Sequence, residues 1–480
     1  MGRPPWFSAL RRNAGRGAPF TPASLPSLAA WYRADLGVRA RTAAQFTGAN
    51  SEYLSKTDTD DSLDMGDITF WFAGWVYMDS VAAGTDNFLS KGWSNGPYIL
   101  FRTTAAIQWQ VGDGATAPSV QATALSAATW YFVMVYHDHT NNLIGISVNG
   151  GAFTTTGHST GTSLNATEFA LGKDVAGTGY NDGRMQMWSV GKSPTDSLST
   201  IRDLLYNSGS GKVYSDLTSA QKTSIGLVSW WSLTENSGTR ADSHGSNTLT
   251  DNNTVTDNDG KVDYAAADGD KVWKWEDQSA NAIHLTQTTQ ASKPTLQTSE
   301  INGQPILRGD GTDDRLTATA DALDSIGTYS GFGVFKHDST KTGTQIIFGK
   351  GNTGSVQEFD FEYDRTAQKN SMIQGGGTVI LTATNEVTDD AAHSFYNERG
   401  GSAGAWTAAI RNDGSANGSA TGIATDPSGD SDFGMFNLGS GVVSSFCFKG
   451  DIAEVGICSD VLSAGNITSV EAYLASRYGI

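Results

Sequence analysis

The chain has 480 residues, with 32 Lys+Arg against 50 Asp+Glu, a formal net charge of −18, and only 17% charged residues beside 13 Trp. This length accommodates about two or three domains with cores of their own, and the aromatic content excludes a disordered chain. The acidic balance excludes general binding to nucleic acid or anionic membranes, and two cysteines, Cys447 and Cys458, exclude a disulfide framework or an unaided four-ligand zinc site.

In chain order, residues 1–27 form a basic arm with Arg3, Arg11, Arg12 and Arg16 and no acid. Five prolines interrupt it, and no apolar run of signal-peptide length follows. No stretch reaches the roughly 18 apolar residues of a membrane-spanning helix, so membrane insertion is not expected. Leu28-Ala-Ala-Trp31-Tyr reads as a first strand. Ile68–Met78 and Trp130–Tyr136 are apolar on both faces, as buried strands are. Leu143–Val148 runs into Asn149-Gly150-Gly151, a hairpin signal because Asn and Gly tolerate positive φ. Leu227-Val-Ser-Trp230-Trp231 reads as a second opening strand, and Gln345–Phe348 and Phe359–Tyr363 continue the pattern. Helical spacing emerges at Leu462–Tyr478, where Ile467, Val470, Tyr473 and Leu474 fall on one face. Many short strands with regular turns predict an all-β chain of antiparallel sandwiches.

The two halves repeat each other. Phe46-Thr-Gly48…Glu-Tyr-Leu54 matches Leu307-Arg-Gly309…Asp-Arg-Leu316, and Phe88-Leu-Ser-Lys-Gly92 matches Ile347-Phe-Gly-Lys-Gly351. Phe169-Ala-Leu-Gly172 matches Phe436-Asn-Leu-Gly439, and Gly183–Val190 matches Gly450–Ile457. A short helix-like run follows each closing strand, at Ser197–Tyr206 and Leu462–Tyr478. The order of openings allows a tandem arrangement or an interleaved one. The interleaved reading is preferred: 28–40 opens an outer jelly roll, 41–256 is an inserted domain, and 257–480 completes the outer one. A sheet pairing 28–38 with 43–54 would refute it.

The Gly-x-x-x-x-Tyr/Arg-Leu openings, the Val148-Asn-Gly150 hairpin and the closing strands resemble the laminin-G-like/concanavalin A-like lectin-glucanase superfamily. Gly226–Val255 is similar to the openings of such domains in phage structural proteins and large bacterial surface proteins. The resemblance covers everything beyond residue 27, and its motifs specify fold better than function. It implies two jelly-roll β-sandwiches, carbohydrate or protein ligands, Ca2+ in some members, and residence on a virion surface as capsid decoration, head fibre or tail fibre.

Glu358-Phe-Asp360-Phe-Glu362 resembles the Glu-x-Asp-x-Glu strand of retaining glucanases, where the first Glu is the nucleophile and the last the acid/base. Against this, residues i and i+4 lie ~13 Å apart along a strand, whereas retaining carboxylates stand ~5–5.5 Å apart. The same letters are explained by Phe359, Phe361 and Tyr363 facing a core while the acids face water. Acid clusters at Asp58-Asp60-Asp61-Asp64, Asp257-Asp259-Asp263, Asp310-Asp313-Asp314 and Asp426-Asp430-Asp432 could supply oxygens to Ca2+, the second of these to a residual loop lacking its bidentate Glu; Asp310, Asp313 and Asp314 are the candidate ligands. His137-Asp-His139 offers two imidazoles without a third ligand. Trp71, Trp75, Trp109, Trp230 and Trp273 are expected in cores, leaving Trp93 with Asn95 as the candidate sugar-stacking turn.

The reading is a non-enzymatic phage surface protein. Arg3, Arg11, Arg12 and Arg16 would dock the arm onto other virion proteins, the loops would meet host-surface glycans, and a homo-oligomer is compatible with both roles. A bacterial surface adhesion or carbohydrate-binding module is the alternative, and a glycan hydrolase using Glu358 and Glu362 the third.

Overall fold

A computed structural model describes residues 20–480 apart from 82–85, 93–95, 104–105, 175, 178, 320–322, 324–326, 352–356, 376, 427–431 and 439–443. The chain is nearly all β. It divides into two compact units, one made of residues up to 38 with 267–287 and 291–480, the other of 39–266 with 288–290. The strand Leu28–Arg33 pairs antiparallel with Lys449–Cys458, near the far end of the chain, and not with 43–54. The continuous segment of the second unit ends at 266 and not at 256, because Thr256–Ala265 pairs with Val38–Phe46.

In the unit built on 39–266, Phe70–Met78 lies between Trp130–Asp138 and Gly183–Lys192. Both of its faces are apolar for a reason. Phe70, Phe72, Val76 and Met78 point at the facing sheet of Tyr53–Lys56, Phe169–Leu171, Asp86–Ser90, Tyr98–Arg102 and Ile107–Val111, where they join Trp109, Phe169 and Trp231. Trp71, Ala73 and Trp75 point the other way and meet Ile201 and Leu205 of the helix Leu198–Tyr206. Gly74 has to be glycine: a Cβ there would lie 2.5 Å from the Trp188 ring.

In the other unit, one sheet runs Thr295–Ile301, Gln304–Asp310, Lys449–Cys458, Tyr329–His337, Ala392–Ser402, Ala405–Asn412, Ser415–Ile423. The second contains Leu285–Thr286, Leu316–Ala318, Phe433–Met435, Thr344–Gly351, Gln357–Asp364, Lys369–Gln374 and Thr378–Thr382 in that spatial order. Aromatic rings join the sheets: Phe361 stacks on Phe395 at 4.8 Å and Phe359 on Tyr329 at 4.6 Å. The outer face of the first sheet is closed by the helix Ala464–Tyr478, started by a Ser463 cap and buried through Val470, Leu474 and Tyr478. Cys458 ends the closing strand and Cys447 precedes it, both as buried free thiols.

Candidate functional site

The acidic strand Gln357–Asp364 corrects one expectation. Its aromatic residues do point inward, but its acids do not all face water. Asp360 is fully buried, with Gly349 opposite it in the ladder. A Cβ on Gly349 would stand 2.2 Å from Asp360 Oδ1 and 3.2 Å from Leu438, so glycine is what lets the carboxyl and Leu438 close over the sheet. Neither Asp360 oxygen has a hydrogen-bond partner among the described residues. Burial, with the charge of Glu362 second, holds Asp360 well above the usual carboxylate range. Burial, with Asp364 second, pushes Glu362 up to about 7. Glu358 differs: it pairs with the buried ammonium of Lys350 at 3.1 Å, and its backbone carbonyl accepts from Arg399 Nη1.

The strand pairs regularly with Lys369–Gln374 from Asp360 to Asp364 and shifts register against Thr344–Gly351 at Glu358, whose carboxylate is held by Lys350. One acid is sealed, one is ion-paired, and the third is protonated over part of the neutral range. The raised carboxyls also set a pH dependence. A group whose folded pKa is raised stabilises fully below its unfolded pKa and loses that contribution as pH rises through the folded value. For Glu362 the window runs from about 4.5 to about 7 and is worth about 3 kcal/mol. Scanning calorimetry should show this unit's midpoint falling across that window, with a flatter profile in Glu362→Gln; an unchanged profile in the variant would contradict the assignment.

On the same sheet, Leu285 and Leu316 are buried while the neighbouring Thr286 and Thr317, paired across strands, are half-buried. They line a cavity of about 570 Å³ with Thr319, His284, Asp432 and the apolar Ala282, Ile283 and Ala318. His284 Nδ1 accepts from the Asp277 backbone N–H at 3.2 Å, so in the neutral ring the proton sits on Nε2. Hydroxyls, an imidazole N–H and a carboxylate beside short apolar side chains are the groups that recognise a neutral hydroxyl-rich ligand. This cavity was not read from sequence; alternating Thr in short strands has no distinctive spacing.

A second, charged cleft of about 360 Å³ lies at the rim of the opposite sheet, lined by Arg308, Lys336, Lys449, Asp310, Asp314, Asp338, Asp390 and Asp451, among others. Arg308 grips Asp451 with two hydrogen bonds of 2.7 and 3.0 Å. Asp310, Asp313 and Asp314 each offer an oxygen within 4.8 Å of the others. They fit part of the about six to eight hard oxygens that Ca2+ takes. Asp314 is buried, accepts the Asp310 backbone N–H at 2.9 Å, and is pushed up to about 7 by burial. The matching turn in the other repeat uses Glu52, buried and accepting from Thr47 N at 2.7 Å. Asp314 is thus first a turn-holding acid; Asp310 and Asp313 are additions, standing where the other repeat has Ala49 and Ser51.

The cluster at Asp58, Asp61 and Asp64 is not a Ca2+ site. Lys91 Nζ sits 2.7 Å from Asp58 Oδ2 and 2.8 Å from Asp64 Oδ1, supplying the cation from within the chain. Lys91 and Lys350 occupy the same repeat position and both are fully buried, a signal present in the aligned Lys-Gly pairs. Asp257 accepts from Gln290 Nε2, Asp259 pairs with Arg41, and Asp426 accepts from Trp406 Nε1. His137 is buried with Nδ1 at the Ile68 carbonyl, whereas His139 is exposed beside Asp67, so they form no pair. Trp71, Trp75, Trp109 and Trp230 are buried and Trp273 half-buried. Trp93, Asn95, Asp430, Arg3, Arg11, Arg12 and Arg16 lie outside the described residues.

No family model matches the chain, and no curated protein matches it. Among solved structures, it is similar to a carbohydrate-binding protein (so described provisionally) from Bacteroides ovatus at 18% identity and a TM-score of 0.36, over 47% of this chain and 62% of that one. It therefore spans less than two thirds of that protein. It is similar to the LG4-5 domains of mouse laminin alpha1 at 10% identity and 0.27, over 94% and 96%. It is also similar to the CBM40 of a Ruminococcus gnavus IT-sialidase, bound to α2,3-sialyllactose, at 11% and 0.28, over 34% and 97%. At these values the description of the fold rests on the strand pairing itself.

Proposed function

We propose that this chain is a non-enzymatic carbohydrate-binding protein displayed on a phage particle, holding a neutral host-surface glycan in the threonine-lined cavity. The observation that carries this reading is the convergence of Thr286, Thr317, Thr319, His284 and Asp432 on one cavity of about 570 Å³. The acids of Gln357–Asp364, one sealed and one ion-paired, favour retention over cleavage. The surplus of negative charge suits a solvent-facing particle protein, and Arg3, Arg11, Arg12 and Arg16 are the residues that would meet other virion proteins. Ca2+ at Asp310, Asp313 and Asp314 would serve as a structural ion at the charged rim.

Calorimetric titration with host surface oligosaccharides tests the reading. Thr317→Val keeps the shape and removes one hydroxyl, so affinity should fall about tenfold, as for one lost hydrogen bond of about 1–1.5 kcal/mol. Equal affinities in the two proteins would remove the cavity from consideration. Loss of co-sedimentation with particles on deleting residues 1–20 tests the docking half; unchanged co-sedimentation would exclude it.

A further inference from the structure

His337 ends the strand Tyr329–His337 with its imidazole buried, against the rings of Tyr363 at 4.5 Å and Phe448 at 5.9 Å. Both ring nitrogens are engaged: Nδ1 lies 2.9 Å from Asp389 Oδ1, and Nε2 lies 2.6 Å from Gln345 Nε2. The surroundings fix which way each bond runs. The Lys449 backbone N–H, which can only donate, points at Gln345 Oε1 from 2.9 Å, so the amide NH2 is the end that faces the ring. The same NH2 reaches the Lys341 carbonyl, which can only accept, at 3.4 Å. His337 Nε2 is therefore an acceptor, and the single proton of the neutral ring sits on Nδ1 and is donated to Asp389. Asp389 is held as its carboxylate: Oδ1 also accepts from the Tyr363 hydroxyl at 2.8 Å, and Oδ2 accepts from Gln368 Nε2 at 3.0 Å and pairs with Arg365 at 2.7 Å. Asp389, Tyr363 and Arg365 are the titratable groups that face the ring. Lys341 and Lys449 meet Gln345 through their backbones, and His393 on the adjoining strand is bonded to Asp413 instead.

The chain around His337 forms one wall of the charged cleft, which is lined by Lys336, Asp338, Asp390, Lys449 and Gly450. The Asp390 N–H donates to the His337 carbonyl at 2.9 Å, and the Asp338 N–H to the Lys449 carbonyl at 3.0 Å. We propose that His337 is an acid-operated switch for this cleft: protonation of Nε2 takes the Lys449 amide away from its acceptor, Gln345, and loosens the wall at Lys449 and Gly450. A charged ring would set an N–H against the NH2 of Gln345. Turning the amide over to answer the ring would set that NH2 against the Lys449 N–H. No orientation of Gln345 serves both neighbours once the ring carries two protons. Burial holds the His337 pKa below its ordinary value, against the pull of Asp389. The wall is therefore fastened at neutral pH and released in acid. The sign of the linkage agrees: the folded chain binds this proton less readily than the unfolded one, so the stabilisation is present above the unfolded pKa and is lost as pH falls through the folded value.

Magnetic resonance of the full chain with isotope-labelled histidine reads the ring, and hydrogen exchange at the Lys449 amide reads the wall. At neutral pH the proton of His337 should be found on Nδ1. As the ring titrates, exchange at Lys449, corrected for its intrinsic pH dependence, should rise about tenfold, as for one lost hydrogen bond. Gln345→Glu should abolish the rise, because a carboxylate accepts from the Lys449 N–H and from the protonated ring alike. Gln345→Met, which offers no oxygen, should exchange at the acid rate at both pH values and supplies a second reading if Gln345→Glu does not fold. Three results would each overturn the proposal: a neutral-pH proton on Nε2, a ring that stays neutral until the chain unfolds in acid, or an acid rise in exchange that persists in Gln345→Glu.

Discussion

Arg399→Met should lower the unfolding free energy of its unit by about 3–5 kcal/mol, as removal of one member of a buried charged network does. Arg399 is fully buried. Its Nε donates to the Gly327 carbonyl at 2.8 Å, and its Nη1 to the Glu358 carbonyl at 2.6 Å and to Gln374 Oε1 at 3.2 Å. Its guanidinium lies 5.2 Å from the Tyr329 ring and 5.3 Å from that of Trp406. Ala392–Ser402 and Gln357–Asp364 belong to opposite sheets, so this one side chain ties the sandwich across its core. Methionine fills much of the volume but donates nothing. Three oxygens would then lack these donors, each orphaned buried acceptor costing about 1–3 kcal/mol. Urea titration followed by tryptophan fluorescence reads the change as a lower midpoint; a shift under about 1 kcal/mol would mean the arginine is solvated in solution.

Glu454→Ala should have the next largest effect, about 3 kcal/mol or more, with a local signature. Glu454 is fully buried under the final helix. Its Oε1 accepts from Trp31 Nε1 at 2.6 Å, and its Oε2 from the hydroxyls of Tyr478 at 2.8 Å and Tyr473 at 3.2 Å. Burial raises its pKa, while the three donors pull the other way. One carboxyl therefore fastens both the strand Leu28–Arg33 and the helix Ala464–Tyr478 to Lys449–Cys458. Truncation leaves the buried Trp31 and Tyr478 donors and the half-buried Tyr473 hydroxyl without this acceptor, and a void beneath the helix. Hydrogen exchange should accelerate first in Ala464–Tyr478 and then in Leu28–Arg33, while the unit built on 39–266 is unaffected. Uniform exchange across the chain would contradict this latch.

The fold was legible because its signals are local and repeated. Phe70–Met78 is apolar on both faces because a second sheet covers one and the helix Leu198–Tyr206 the other, and a run of Trp and Phe records both. Val470 and Leu474 sit at helical spacing and are buried. The site was less legible because it depends on what lies across space. Alternation places Asp360 on the outer face, but it is Gly349 and Leu438, brought there across space, that let the carboxyl pack down on the sheet. Asp58 and Asp64 look like metal ligands until Lys91, from another strand's end, is placed between them. Thr286 and Thr317 acquire meaning only when pairing sets them side by side. Arg399 and Glu454 gave no signal, since a single charged residue in a strand is ordinarily on the solvent side.

The proposed role is retention of a glycan without turnover. Equilibrium binding of the full chain to host surface polysaccharide, followed by sizing of the recovered polysaccharide, tests it in one experiment. Saturable binding with the polymer length unchanged is the result predicted. Shortened chains that accumulate with time, or no saturable uptake of any host polysaccharide, would contradict it.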